Sequence, residues 1–424
     1  MTAQGRSLMA LISDVKSEFP MLRTPISLII DDWTFGYLGT KSDIPLDLEF
    51  RRASDFLIDM IGMGRDGVRG KISLVPYLTK PRGDGKYEII GCVSRGLKGI
   101  PGERIQWMLR LIRDEASRYF DITPEVLTHQ LVLDVETGRL MDETEWEWSQ
   151  RQSLESLTMY IAHALSVLRE AGIIANGVTS PCNFGVEVEG LYARAVLEAE
   201  KTVNNIGLTW YFLHVEPNKN VPFVNPRLMH LDDDDGEAVV SVVSCSSDCL
   251  ARSRVEEADG DIHKIADPWI SSDGKSGRLI DLYNDGAYLI FHTHWHNTHR
   301  IDDDTGFRAL KEAIHRIKRN FGYNVLWMRC SEIARYFAAS KTFKPELHES
   351  PGSIELRLNS PFSCPNFTFS MKTSKEIRRV KIDDTPIKKA TGRLKPNSWM
   401  MRENRIYICT NIKGQMKIEM TPSN

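Results

Sequence analysis

ISLIIDDWTFGYLG, residues 26–39, runs through Ile26, Leu28, Ile29 and Ile30 and then presents two adjacent carboxylates, Asp31 and Asp32, before an aromatic residue and a glycine turn. An apolar run this short, rich in β-branched residues and closed by turn formers, predicts a buried strand. For an Asp pair in isolation, a solvated strand end is the commoner explanation. The fold is decided by whether other runs of the same kind recur, and by what stands at their ends.

They do recur. Strands are predicted at 26–32, 71–79, 126–134, 174–181, 209–216, 237–244 and 286–294, with an eighth candidate at 324–329. Helical stretches separate them. In 105–120, Ile105, Met108, Leu109, Ile112, Ala116 and Phe120 share one face, and in 153–173 Leu157, Tyr160, Ile161, Ala164, Leu165 and Leu168 form a stripe that ends at Gly172. Segments 194–204 and 306–321 follow the same spacing. Strands alternating with amphipathic helices predict parallel strands covered by crossover helices, either a closed barrel or an open doubly wound sheet. No G-x-G-x-x-G follows the first strand, which removes the best sign of a dinucleotide-binding domain.

After residue 345 the texture changes to short alternating segments such as SIELRLNS, NFTFSMK and RIYICTNI, punctuated by Pro, Gly, Asn and Asp. This predicts a division into a barrel at 1–345 and a β-sandwich-like appendage at 346–424, a carbohydrate-binding or oligomerisation module. The 424 residues suffice for two domains with substantial cores.

Composition excludes more than it selects. The formal charge of -3, with 26% charged and 42% hydrophobic residues, gives no basic field to attract nucleic acid. No uncharged apolar run approaches the length of a membrane span, and Asp14, Lys16 and Glu18 interrupt the N-terminal apolar run, which reads as a short helix rather than a secretory signal. The seven cysteines are odd in number and several sit in apolar strands, as reduced buried thiols do, so a cytoplasmic location is expected. The pair in CSSDC (Cys245 and Cys249) lacks partners for a structural zinc site, and the acidic runs 230–237 and 300–306 lack calcium-loop spacing.

In parallel α/β architectures chemistry gathers at the carboxyl ends of the strands. The first strand ends on Asp31 and Asp32, the third carries His129, the fourth closes in Thr179, Ser180, Pro181, Cys182 and Asn183, and the last carries His292 and His294. HTHWHNTH adds His296 and His299. Carboxylates and neutral imidazoles together can bind a divalent metal, while a second carboxylate takes a proton and a separate His gives one. Adjacent aspartates also push their proton affinities apart, which suits Asp32 to a metal or a structural bond and Asp31 to the base.

On these residues the chain resembles the polysaccharide deacetylase family of the glycoside hydrolase/deacetylase superfamily, over residues 24–340. The anchors are LIIDD, LTH (127–129) leading on to WSQRQSLESLTMYIAHAL, NGVTSP (176–181) and LIFHTHW (289–295). The resemblance implies an α/β fold, a distorted (β/α)7 barrel carrying here a small C-terminal all-β domain. It implies Asp31 as base, Asp32 and His129 as ligands of a divalent metal, zinc, and His294, or else His292, as acid. Two motif residues are missing from their expected places. No second metal-binding His follows His129, where Trp146, Trp148, Ser149 and Gln150 stand and His163 lies inside a helix; and Val178 to Ser180 carry no cation although Pro181 is kept.

Three readings follow: a deacetylase-type hydrolase acting on an N- or O-acyl bond of a carbohydrate derivative; a glycoside hydrolase on the same barrel, with Glu145, Glu147 or Asp248 crossing the mouth; and a non-catalytic carbohydrate-binding protein. Trp33, Trp148, Pro181, Asn183, His292 and Trp295 are the expected substrate-binding residues, and Phe35 and Trp146 add to the aromatic content near the mouth. The expected partner is a carbohydrate, with no nucleic acid and no membrane, and self-association is left open.

Overall fold

The computed structural model describes residues 12–36, 44–82, 84, 86–214, 224–244, 246–350 and 352–423. The chain divides into two compact units, 25–232 with 237–334, and the N-terminal segment to residue 24 with 233–236 and 335–424.

In the first unit, β1 (Thr24–Trp33) is buried over its whole length after Thr24. It sits between β7 (Leu289–His294) and β2 (Gly70–Leu74), and β2 pairs onward with β3 (Phe120–Pro124), all parallel. A second parallel set runs β4 (Gly177–Thr179), β5 (Leu208–His214) and β6 (Glu237–Ser244), with the antiparallel strand Arg227–Asp232 on its far side. Side chains join the two sets at both seams. Thr123 and Thr179 share a hydroxyl hydrogen bond of 2.8 Å between β3 and β4, and Ser244 donates to the Ile290 carbonyl at 3.2 Å between β6 and β7. The unit is a distorted (β/α)7 barrel.

The helices between strands bury the faces their spacing predicts. In α1 (Leu46–Arg65) these include Phe50, Phe56, Leu57 and Met60, and in α2 (Gly102–Asp114) Ile105, Met108, Leu109 and Ile112. Helix α3 (Leu154–Glu170) buries the whole expected stripe, and its N-cap Ser153 accepts the Ser156 N–H. Helices α4 (Glu189–Asn204), α5 (Arg278–Asn284) and α6 (Thr305–Phe321) complete the cover, so aliphatic side chains fill the space between strands and helices.

Three expectations are corrected. The third barrel strand is Phe120–Pro124 rather than 126–134; residues 126–130 form a loop, and Leu131–Asp134 belongs to a hairpin with Arg139–Thr144. Val126 and Leu127 are fully buried without being extended, and that burial gave the loop the composition of a strand. The run 71–79 is two strands, because the chain breaks after Leu74 and resumes at Tyr77–Pro81, antiparallel to Tyr87–Cys92. Residues 12–17 form a strand paired with the C-terminal sheet rather than a helix, and the rest of that expected helix, 1–11, lies outside the described residues, as does Cys245.

Among its described residues the second unit is all-β apart from a 3-10 turn at Pro20–Leu22 and the last residues of a helix, Cys330–Thr342. Its backbone is a long antiparallel pair, β8 (Ser353–Thr373) and β9 (Arg405–Pro422), flanked by Ile12–Ser17, Lys344–Ser350, Ile377–Ile382 and Ser398–Arg402. Ile354, Leu356 and Leu358 alternate with more exposed residues, as a sheet with one buried face requires. The register slips between Ser360 and Cys364 and again before Phe367, where bulges bend the long strands. Among the described residues no helix is long and apolar enough to cross a membrane.

Candidate active site

Neighbouring residues on a strand point to opposite faces, so an Asp-Asp pair on a regular strand cannot serve one site. Strand β1 breaks that rule locally. Asp32 adopts a left-handed backbone (φ 65°), and the pairing of β1 with β2 slips between Ile30 and Trp33. The Asp32 N–H turns to Glu125 Oε2 at 2.7 Å and Ser73 Oγ at 3.1 Å, while its carboxylate faces three imidazoles: His129 Nε2 at 2.9 Å, His296 Nδ1 at 3.8 Å and His294 Nε2 at 4.0 Å. Asp31 lies beside His294 in the β1–β7 register.

Asp31 is ion-paired with Lys71 of β2, a fully buried ammonium that also donates to Thr179 Oγ1 at 2.8 Å and sits 4.5 Å from the Phe212 ring centroid. A buried lysine is tolerated only when its charge is met, and Asp31 meets it. The cation beside Asp31 thus comes from the second strand, two residues below the level of Asp31 in the β1–β2 register, and not from Val178 to Ser180 of the fourth.

The segment Glu125-Val-Leu-Thr-His129 leaves the end of β3 as a tight turn, with Val126 and His129 both left-handed (φ 37° and 57°). For a β-branched valine such a backbone costs roughly 1–3 kcal/mol, so surrounding bonds must hold it. The turn brings Glu125 and His129 to the same place. Glu125 anchors Oε2 on Ser73 and the Asp32 N–H and keeps Oε1 3.5 Å from His129 Nε2. Donor atoms of Asp32, Glu125 and His129 lie within 4.8 Å of one another, a spacing that one metal ion could bridge.

The electrostatics follow from crowding. Burial alone would raise the Asp32 carboxyl, but His129, His294 and His296 together hold it well below the usual carboxylate range. Glu125 goes the other way, pushed up to about 8 by burial and then by the Asp32 charge, so near neutrality one carboxyl is protonated beside one that is ionised. Burial works against the His129 cation, yet Asp32 and then Glu125 hold its affinity for a proton well above the ordinary histidine value.

On the other side of the mouth His294 Nδ1 bonds Asp248 Oδ2 at 2.7 Å, and Asp248 is itself fixed by Thr293 Oγ1 at 2.8 Å, Asn297 Nδ2 at 2.9 Å and the His294 N–H at 3.2 Å. Burial disfavours the charged ring, but Asp32 and Asp248 prevail and lift His294 to about 10. A carboxylate on Nδ1 points Nε2 toward Asp32 and the mouth. His296, whose side chain is 43% exposed, is taken down to about 4, first by burial.

The structure therefore brings Asp31, Asp32, His129 and His294 together. The expected sugar platforms fare differently. Trp33 is fully buried, donating Nε1 to the Ala53 carbonyl at 3.3 Å and packed on Phe35 and Phe56, and Trp295 is 2% exposed against Phe56. Neither ring has a face left for a ligand, since both complete the core under the mouth. His292 is buried as well, its Nδ1 3.1 Å from Ser244 Oγ, whereas His294 is the more exposed of the two. Pro181 is buried, Trp148 is half-buried against Tyr160, and Asn183 is exposed.

His163 lies outside the site, bonded to the Tyr77 hydroxyl at 2.9 Å. The residues not foreseen are Glu125 and Lys71, and Asp248 in its role as partner of His294. Glu125 had a signal, a carboxylate four residues before His129, but the missing ligand was expected after that histidine. Lys71 had none, because a lysine at the start of an apolar run reads as a solvated strand end.

No family model matches the chain, and no curated protein matches it. Solved structures similar to it include the glycoside hydrolase family 30 subfamily 8 xylanase Xyn30A from Clostridium acetobutylicum, at 7% identity and a TM-score of 0.26 over 96% of this chain and 99% of that one. A GH30 endoxylanase from Clostridium papyrosolvens C71 aligns at 9% identity and 0.29 over 97% and 100%, and the endo-β1,6-glucanase BT3312 at 8% and 0.29 over 97% and 93%. At these scores the likeness carries no argument about activity.

Proposed function

We propose that the chain is a carbohydrate-acting hydrolase that removes an acyl group from an N- or O-acylated sugar, using Asp31 as base and His294 as acid. The observation that carries this reading is the left-handed turn at Asp32, whose carboxylate meets three histidines next to the Asp31–Lys71 pair.

Asp32 and His129 would hold a divalent metal, with Glu125 Oε1 as third donor in place of the absent second histidine. The donor set fits: an ionised carboxylate, an imidazole and a second carboxyl already anchored through its other oxygen. When bound, the ion would polarise the acyl oxygen and lower the proton affinity of water. Asp31 takes the proton of the water that attacks the acyl carbon. His294, cationic near neutrality and steadied by Asp248, gives a proton to the departing sugar nitrogen or oxygen as its bond to that carbon breaks. The acyl group leaves as a carboxylic acid. Lys71 offsets the burial of the Asp31 charge and fixes its orientation.

One observation favours a second reading, glycoside hydrolysis. Glu125 and Asp32 form a protonated and an ionised carboxyl in the same mouth, the division of roles that glycosidases use. Of the carboxylates expected to cross the mouth, Glu145 is occupied by backbone N–H groups and Asp248 by His294, while Glu147 is exposed and bonded to Thr144.

The experiment is a substrate panel of acetylated chito-oligosaccharides, acetylated xylan and unmodified xylan and β-glucan, read for released acetate and new reducing ends, with and without added zinc. Acetate release lost in Asp31→Asn supports the deacylase. Reducing ends without acetate would transfer the reading to the glycosidase, and neither product across the panel would leave a binding protein.

A further inference from the structure

Glu145 is completely buried and makes none of the contacts expected of a reacting carboxylate. It starts the short helix Glu145–Ser149, whose N-cap Thr144 accepts the Glu147 N–H. From there the side chain reaches the turn that follows Glu125. Oε1 accepts the N–H groups of Leu127 at 3.1 Å and Thr128 at 3.0 Å, and Oε2 accepts the N–H of His129 at 2.8 Å. The Tyr160 hydroxyl donates to Oε1 at 2.6 Å and accepts the Leu133 N–H at 3.2 Å. The backbone adds a further tie, from the Glu145 N–H to the Gln130 carbonyl at 3.0 Å.

Three consecutive N–H groups converging on one carboxylate cannot come from a strand or from the interior of a helix. They define the turn between Val126 and His129, whose left-handed residues would relax without a fixed acceptor. An ordinary loop would take water as that acceptor; here the acceptor is the Glu145 carboxylate, which is itself fully buried.

We propose that Glu145 is the positioning residue for His129: its carboxylate holds the 126–129 turn in the one conformation that aims the His129 imidazole at Asp32 and places Glu125 beside it. This rests on the metal-dependent reading above. It also assigns a role to a carboxylate that a glycosidase would otherwise have needed for chemistry.

The asymmetry of the bonds gives the test. In Glu145→Gln the amide oxygen can keep Leu127, Thr128 and Tyr160, but its NH2 then meets the His129 N–H, donor against donor, so the loss falls on His129. In the full-length chain, zinc affinity measured by competition with a chromophoric chelator should fall about 10- to 100-fold. Hydrogen exchange at the His129 amide should accelerate. Tyr160→Phe removes a bond from the same carboxylate without touching the turn, and should keep zinc affinity within about threefold of wild type by the same reasoning.

Wild-type zinc affinity together with a protected His129 amide in Glu145→Gln would overturn the proposal, as would an equal loss of affinity in Tyr160→Phe. Should Glu145→Gln not fold, the wild-type protein decides. Amides of Leu127, Thr128 and His129 should exchange far more slowly than those of Glu136 and Thr137, which bond the exposed Asp134 carboxylate; equal rates overturn it. If wild-type protein binds no zinc, the metal reading fails, while the exchange rates still judge the role of Glu145.

Discussion

Two buried aspartates in the barrel unit have the same chemistry and opposite surroundings. Asp121, at the start of β3, is 4% exposed and accepts the Ser331 N–H at 2.7 Å, the Ser331 hydroxyl at 2.8 Å and the Asn176 amide at 3.5 Å, with Arg329 at 3.9 Å. Its side-chain hydrogen-bond donors do not titrate near neutrality. Asp32, at the end of β1, is 6% exposed and faces three histidines. Burial raises the Asp121 carboxyl and its neighbours fail to reverse that; at Asp32 the imidazoles reverse it. An aspartate tied to backbone and hydroxyls locks the fold, and one tied to groups that exchange protons or accept a metal is poised for chemistry.

The comparison breaks most visibly at the mouth. Asp31→Asn should lower the rate of acyl hydrolysis by about 10²- to 10⁴-fold in the folded protein and should also lower the urea midpoint, because it removes a proton acceptor and leaves the buried Lys71 ammonium without its counter-charge. A rate near wild type would remove Asp31 from the chemistry. At the other end Asp121→Ala should lose about 1–3 kcal/mol in urea titration with little change in the rate of the folded protein, since the half-buried Ser331 donors lose their acceptor. If the variant instead keeps its stability and loses activity, the two aspartates have been assigned the wrong way round.

A third buried carboxyl sharpens the contrast. Glu200 on α4 has one described partner, Asn204 Nδ2 at 2.8 Å, and burial pushes it up to about 8. The folded state holds this proton more tightly than the unfolded chain, so the stability it contributes is complete below about 4.5 and is lost as pH rises through about 8. The slope is at most about 1.4 kcal/mol per pH unit. Thermal melts between pH 5 and 9 should show this decline, and Glu200→Gln should flatten it; parallel profiles would refute the assignment. The smallest effect concerns metal choice. Restoring an imidazole with Glu125→His should raise the ratio of zinc to manganese affinity by about tenfold, because imidazole suits zinc and carboxylate suits harder ions. Calorimetry with each ion alone reads it, and an unchanged ratio would place Glu125 outside the ligand set.

Much of this was written in the linear order of residues. The apolar runs ending at Asp31 and His294 announced two barrel strands, since strands buried on both faces need continuous apolar composition, and the Leu157 to Leu168 stripe announced α3 because a helix against a sheet needs one apolar face. The aromatic residues misled for a related reason. A tryptophan after a strand end has the same signature whether it caps a core or meets a ligand, and Trp33 and Trp295 cap the core.

What sequence alone determined was which residues could be buried and with what period, and hence the alternation of strands and helices and the polar ends of the strands that carry Asp31 and His294; His129 stands in a loop, not on a strand. Tertiary structure decided the rest: that the third strand lies at Phe120–Pro124, that the cation meeting Asp31 is Lys71, and that Glu125, four residues before His129, comes beside its imidazole. The physical reason is that register and left-handed backbone are set by partners distant in the chain. Asp32 and His129 point into one mouth only because Glu125, Ser73 and Glu145, each from another segment, hold their backbones there.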